Sequence, residues 1–270
     1  MRARTATRTA GTPGMWQEER YQRIRALLST LQRVTTDRIV TELNVSRETV
    51  RRDLVALEEQ GELKRIHGGA IRVEDEAPIA ERANINVKFK RDLARAAVSL
   101  LSHGQTVFID AGTTTVILAE ELAKLGGLTV ITNSFNVALQ LRNPAVPGGQ
   151  YNEVIVLGGS LGDRAPATIG GTTVAEIGRY RADLALLSPV GIDAQRGASN
   201  YDHREAEVAR AMADNAEGVV ILADYSKIGV ESRVAFCPPE RIDVLITNHK
   251  ASTEAAFAAL NAKLKRIVLV

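Results

Sequence analysis

Apolar residues recur along this chain with two different periods, and the change from one to the other divides it. From Glu18 the spacing is helical: Ile24, Leu27, Leu28 and Leu31 occupy the i, i+3, i+4 and i+7 positions of one buried stripe. A second, short helix is expected over TTDRIVTEL, with Thr35 or Thr36 as its N-cap and Ile39, Val40 and Leu43 on its apolar side. Asn44 and Val45 then make a tight turn, and Ser46 caps a third helix lined by Val50, Leu54 and Leu57. After Gly61 the apolar positions alternate through ELKRIHGGAIRV, which predicts a β-hairpin around His67, Gly68 and Gly69. Three short helices followed by a hairpin describe a winged helix-turn-helix over residues 18–73.

The segment VEDEAPIAERANINVKFK is charged, contains Pro78 and shows only a partial helical pattern. Residues 74–90 therefore read as a linker that becomes helical near Lys88. Beyond it, apolar strand-like runs alternate with amphipathic stretches: TVFIDAG, LTVITN, EVIVLGG, ADLALLSPVGID, GVVILADYSK, IDVLIT and RIVLV are expected strands. Helical segments such as TTVILAEELAKL and EAEVARAMADNA lie between them. This alternation predicts an α/β domain with a largely parallel sheet over residues 91–270. In such sheets ligands sit at the C-terminal ends of the strands.

Composition adds little until it is divided. The 270 residues suit a small domain plus a medium one, and 45% hydrophobic with 24% charged residues is an ordinary globular balance. The net charge of +2 hides an asymmetry: residues 1–73 carry fourteen Lys and Arg against nine Asp and Glu, while the remainder carries twenty against twenty-three. A polyanionic partner thus suits the first part alone. Cys237 is the single cysteine, which excludes an intrachain disulfide and points to a reducing cytoplasm. His67, His103, His203 and His249 are scattered, with no metal-ligand spacing, so neither metal nor cofactor is expected. No apolar run approaches the roughly 20 residues that span a bilayer. MRARTATRTAGTPG reads as part of a flexible basic tail over 1–17, or as residues upstream of a start at Met15.

Charge placement on the third helix gives the first candidate chemistry. At about 100° per residue, Glu48, Thr49 and Arg52 point away from the apolar stripe, while Arg47 and Arg51 flank it. Such a helix in a major groove presents these side chains to base edges and phosphates. The plainer reading is a solvated face on which Glu48 and Asp53 balance the arginines. In the second part, DAGTTT ends a strand at Asp110 and opens a helix, which is either a capped turn or a cradle for a phosphate at a helix N-terminus. It lacks the lysine of a Walker A loop and the glycine spacing of a dinucleotide fingerprint. Further strand ends bring Asn133 and Ser134, Gly158 and Gly159, Asp193, and Lys227. Together these hydroxyls, amides and an ammonium fit a small phosphorylated, polyhydroxylated ligand.

VSRETVRRDLVALEEQGELKRIHGGA closely resembles the signature of the DeoR family of bacterial transcriptional regulators. By that resemblance Ser46, Arg47, Thr49, Arg51 and Arg52 contact DNA, His67, Gly68 and Gly69 shape the wing, and Lys64 and Arg65 lie near phosphates. The second part resembles the family's sensor domain, whose fold is similar to ribose-5-phosphate isomerase and CoA-transferase subunits and which binds sugar phosphates or related metabolites. The resemblance makes Asp110, Thr113, Thr114, Thr115, Asn133, Ser134, Gly158, Gly159, Asp193, Glu205 and Lys227 the effector-binding candidates. GASNYDHREAEVARAM is similar to the glycerol-3-phosphate regulon repressors, whereas LSPVGID departs from the family's usual aromatic-and-glycine wording.

The resulting expectation is a cytoplasmic repressor of carbohydrate or glycerol metabolism genes. It would bind double-stranded operator DNA as a homo-oligomer, dimer or tetramer, under control of a phosphorylated effector. Two competitors remain: a sugar-phosphate isomerase-like enzyme with an appended DNA-binding head, and a winged helix that binds protein instead of DNA.

Overall fold

The stripe on the first predicted helix is buried along α1 (Gln17–Leu31), where Tyr21, Ile24 and Leu28 reach the core. The computed structural model describes residues 16–31, 33–59, 62–66, 68–72, 79–142 and 151–270. These divide into two compact units, Met1–Asp75 and Glu76–Val270. The proposed basic tail up to residue 15, His67 and the linker residues 73–78 lie outside the described residues.

In the first unit α1 is followed by β1 (Arg33–Thr35), α2 (Thr36–Leu43), α3 (Arg47–Glu59), β2 (Leu63–Ile66) and β3 (Gly69–Arg72). Thr35 caps α2 by accepting from the Arg38 N–H at 3.3 Å, and Asn44 ends it in the left-handed region at φ 51°. Ile39, Leu43, Val50, Leu54 and Leu57 close the core with Leu63 and Ala70. The antiparallel sheet has the order β1-β3-β2, so the hairpin pairs with a third strand that the pattern did not announce. Three residues at a helix end carry no readable alternation. Gly69 makes that pairing feasible, because a Cβ there would sit 2.2 Å from the Val34 carbonyl oxygen.

Asp53 departs from the solvated-face expectation. It is buried, and its carboxylate accepts both Nε and Nη2 of Arg20 at 2.6 and 2.9 Å, tying α3 to α1. Its position beside Val50, Leu54 and Leu57 turns it inward.

The second unit opens with α4 (Ile79–Ala83) and α5 (Val87–Val98), so helix begins earlier than Lys88. It continues through β4 (Thr106–Ile109), α6 (Thr113–Leu125), β5 (Thr129–Thr132), α7 (Phe135–Leu141), β6 (Glu153–Val156), β7 (Ser160–Leu161), β8 (Thr168–Ile169) and α8 (Gly171–Ile177). Then come β9 (Ala182–Leu187), β10 (Gly191–Asp193), β11 (Gly197–Asn200), α9 (His203–Asp214), β12 (Ala216–Leu222), β13 (Val234–Cys237), β14 (Val244–Thr247), α10 (Phe257–Lys263) and β15 (Ile267–Leu269).

All seven expected strand runs enter one parallel sheet, ordered β15-β14-β12-β9-β4-β5-β6. Both faces are covered. Along β4, Val107 and Ile109 join one core with Leu93, Leu118 and Val137, and Phe108 joins the other with Ile177, Met212 and Leu260. Burial on both faces explains why these strands read as continuous apolar runs. ADLALLSPVGID is two strands rather than one: β9 stays in the main sheet, and β10 pairs with β11 in a small antiparallel sheet completed by β13. Among the described residues no helix is long and apolar enough to cross a membrane.

The strand order has a functional consequence. The chain builds outward from β4 to β5 and β6, then returns to place β9 on the other side of β4 before proceeding to β12, β14 and β15. The β4–β9 boundary is therefore the point where the winding direction reverses, and the crevice beyond those strand ends is where open α/β sheets bind ligands.

Candidate functional site

On α3 the Ser46 hydroxyl accepts the Thr49 N–H at 3.1 Å and lies 2.8 Å from the Thr49 hydroxyl, capping the helix at the end that carries the arginines. Arg47, Arg51 and Arg52 are all exposed. Each has an acidic neighbour: Arg47 lies 3.3 Å from Asp37, and Glu48 receives Arg51 at 2.9 Å and Arg52 at 3.2 Å. Accepting hydrogen bonds from both guanidinium groups holds the Glu48 carboxyl down at about 2.

Across from α3, Lys64 and Arg65 are exposed on β2, and Arg65 is held by Glu58 through its backbone N–H at 2.8 Å and its Nε at 2.5 Å. Gly68 takes φ +78° in the hairpin turn, and its carbonyl accepts the Thr36 N–H at 2.8 Å. A groove of about 760 Å³ separates the helix from the wing, lined by Arg47, Arg51 and Arg65 together with Gly68 and Gly69.

In the second unit, Asp110 follows β4 and Ser188 follows β9, one on each side of the reversal. The Ser188 N–H donates to Asp110 Oδ2 at 3.0 Å, while Oδ1 is buried with no hydrogen-bond partner. Burial pushes the Asp110 carboxyl up to about 7, and the nearby Glu205 carboxylate adds to the rise. Thr113, Thr114 and Thr115 form the first turn of α6, whose N-cap Gly112 has no side chain to satisfy their N–H groups. Thr115 instead turns its hydroxyl back onto the carbonyls of Asp110 and Gly112, at 2.9 and 3.0 Å.

The neighbouring strand ends bring the other candidates close in unequal measure. Asn133 and Ser134 are buried after β5; Ser134 caps α7, and Asn133 donates to the Thr168 carbonyl at 2.8 Å, leaving its own Oδ1 buried without a partner. Gly158 and Gly159 turn the chain against α8: the Thr173 hydroxyl donates to the Gly158 carbonyl at 2.8 Å, and a Cβ at Gly159 would lie 2.0 Å from that hydroxyl. Lys227 ends a short 3-10 turn capped by Asp224. Asp193 accepts the N–H groups of Gln195 and Arg196 at 2.7 and 2.9 Å, which is the loop-holding role an aspartate has in a tight turn.

Three polar residues at this edge escaped the strand-end reading. Ser188 sits inside an apolar run, Asn248 follows β14 and donates to the Phe89 carbonyl at 3.3 Å, and Lys90 is buried on α5. The Lys90 ammonium donates to the Thr113 hydroxyl at 2.9 Å and to the Arg82 carbonyl at 2.6 Å. Desolvation lowers its pKa. Its signal was legible, since Lys90 falls on the stripe formed by Leu93, Ala94 and Ala97. A lysine on a helix's buried face needs polar partners.

A model of the DeoR-like helix-turn-helix domain matches residues 20–76, and a model of the DeoR C terminal sensor domain matches residues 85–249. The chain belongs to the DeoR family. Within that family it is 35% identical to the HTH-type transcriptional regulator GlpR of Haloferax volcanii, over 87% of this chain and 91% of that one. It is 36% identical to the HTH-type transcriptional repressor GlcR of Bacillus subtilis, over 87% and 89%. It is 31% identical to the glycerol-3-phosphate regulon repressor of Escherichia coli, over 87% and 92%.

These DeoR-family relatives are transcriptional regulators, and the chain is a DNA-binding regulator, not an isomerase-type enzyme. Ribose 5-phosphate isomerase from Methanocaldococcus jannaschii overlays with a TM-score of 0.37 at 17% identity, over 53% of this chain and 54% of its own, a likeness too slight to speak to function.

Proposed function

We propose that this DeoR-family protein is a cytoplasmic homo-oligomeric repressor of carbohydrate or glycerol metabolism genes, with residues 18–73 holding operator DNA and residues 91–270 sensing a phosphorylated polyol or sugar. Arg47, Arg51 and Arg52 reach base edges and phosphates from α3, with Ser46 and Thr49 at its N-terminal end. Lys64, Arg65 and the wing around His67, Gly68 and Gly69 hold the backbone. Paired half-sites require at least two such heads.

The observation that carries the sensing half is the geometry at the strand reversal: Asp110 accepts the Ser188 N–H, keeps Oδ1 buried without a partner and feels the Glu205 carboxylate, and it leads into the first turn of α6, which has no side-chain cap. Helix N–H groups and Lys227 suit the phosphate, and the Asp110 and Glu205 carboxyls suit ligand hydroxyls. Asn133, Ser134, Gly158, Gly159 and Asp193 complete the effector-binding set. The similarity of GASNYDHREAEVARAM to the glycerol-3-phosphate regulon repressors favours glycerol 3-phosphate as the effector. Reversing a 1:99 population of DNA-binding states then requires about 5.5 kcal/mol of differential effector affinity.

The deciding experiment is thermal stabilisation of the purified protein across glycerol, triose, pentose and hexose phosphates, each beside its unphosphorylated parent. Stabilisation by one ester and not its parent is the expected result. No response to any ester would overturn the sensing half while leaving the DNA-binding half intact.

A further inference from the structure

Trp16 is the chain's single tryptophan, and at 82% it is the most exposed large apolar side chain among the described residues. Its carbonyl accepts the Arg20 N–H at 3.0 Å, so it stands at the start of α1 and keeps register with that helix. At about 100° per residue, Trp16, Arg23 and Leu27 fall within about 40° of one another. They lie beside the buried stripe of Tyr21, Ile24 and Leu28. Leu27 opens into a groove of about 350 Å³ between α1 and α2, floored by Leu27, Leu31 and Leu43 and rimmed by Arg23, Arg38 and Glu42. Leu27 and Leu31 are only half-buried there.

One helix face therefore carries an exposed indole and, about 16 Å farther along, an apolar groove with room for an indole ring. The two cannot meet within one α1, because a rigid helix holds them apart. A second copy laid antiparallel brings them together twice: a two-fold axis near residues 21–22 sets Trp16 of each copy against Leu27 of the other, the self-complementary arrangement of an isologous interface. The charges fit the same arrangement. Arg23 bonds Glu19 at 3.0 Å, and both are about half exposed. In the antiparallel pair Arg23 of each copy also meets Glu19 of the other, so cations and anions alternate across the axis and fix the register. A parallel pair would instead oppose Arg23 to Arg23. Arg20, on the same flank, is held by Asp53. None of the residues lining the α1–α2 groove lines the groove between α3 and the wing, so pairing leaves Arg47, Arg51 and Arg65 accessible to DNA.

We propose that the Trp16, Arg23 and Leu27 face of α1 is the surface through which the DNA-binding units of two chains pair, each indole seated in the other copy's groove. A tryptophan entering an apolar pocket is the kind of anchor that dominates protein interfaces. The inference rests on the paired-head reading above and deepens it, because it locates a pairing contact in the unit that reads DNA.

The test uses the full-length protein, with Trp16 fluorescence and sedimentation read over the same dilution series. In the unsubstituted protein, emission is expected to be blue-shifted in the oligomer and to move to the red on dissociation. Arg23→Glu and Glu19→Arg each place like charges across the axis, and each is expected to weaken this association at least about tenfold. Both positions are exposed, so Tm is expected to change little. Mixing the two variants is expected to restore the blue-shifted emission, since one copy then offers two arginines and the other two glutamates.

An oligomer whose emission stays red at every concentration, blue-shifted emission that Arg23→Glu leaves unchanged, or a mixture that does not recover would each overturn the proposal while sparing the paired-head reading. A chain that sediments as a monomer throughout would overturn both.

Discussion

The arginines of α3 and the lysine of α5 are both cations on helices of similar length, yet their surroundings are opposite. Arg51 and Arg52 stand in solvent and share Glu48, while Lys90 is buried and bonded to a neutral hydroxyl and a carbonyl. Exposed ion pairs are weak because water and salt screen them, so Glu48 holds these guanidinium groups only loosely. A buried ammonium has surrendered its hydration already, so its partners cannot be exchanged without a local rearrangement. The first arrangement suits an interface that forms and dissolves; the second suits a contact that holds two helices in one arrangement.

The sharpest way to break this comparison is through the buried carboxyl of the second unit. Asp110 retains its proton in the folded state to about pH 7 against an ordinary value of 3.8, because burial disfavours the anion. The folded state then binds more protons than the unfolded state between about pH 4 and pH 7, and stability falls as pH rises through that window. The loss attributable to this group is on the order of 4 kcal/mol. Asp110→Asn is expected to flatten that decline in urea unfolding measured across pH. An unchanged slope would show that the carboxyl titrates normally.

Next in size is the exception within the DNA-reading unit. Arg20→Met leaves the Asp53 carboxylate buried without the guanidinium that neutralises it. A loss of about 3 kcal/mol is expected in chemical unfolding of that unit. A loss no larger than that of an exposed pair would mean that Asp53 is not desolvated in solution.

Functional separation comes third. Arg52→Ala is expected to weaken operator binding about ten- to hundredfold and to leave the ester-induced Tm shift intact. Lys227→Ala is expected to do the reverse. Parallel loss of both activities in either folded variant would erase the division of labour. The smallest effect is expected from Glu48→Gln, which frees Arg51 and Arg52 and removes a charge that repels phosphate. A few-fold gain in non-specific DNA affinity at low salt, vanishing at high salt, would support that role in a binding titration. A loss of affinity would show that Glu48 positions the arginines instead of restraining them.

How far the sequence reached depends on what each residue's neighbours are. Val107 to Ile109, Val130 and Ile131, and Val219 to Leu222 announced their strands because a sheet covered on both faces demands uninterrupted apolar runs. The caps Thr35, Ser46 and Ser134 were legible because capping acts within three residues. Short strands such as β1 and β10 were not, since three residues hold too little periodicity to stand out. Asp53 looked like a surface acid because its partner lies thirty-three positions away. Asp193 stands out in the sequence by its place after an apolar run, and the structure adds the turn it holds through the Gln195 and Arg196 N–H groups.

Local patterning and the motifs by themselves determined the two-unit plan, the family, the helix that carries the arginines and the strand ends that carry polar groups. These depend on interactions between residues a few positions apart, where spacing is geometry. Only the tertiary structure decided that β9 returns beside β4, setting Ser188 against Asp110 across the reversal, and that Lys90 reaches both α4 and α6. Those pairings join distant stretches of chain, and their consequences, a raised carboxyl and a buried ammonium, arise from desolvation that only the closed fold creates.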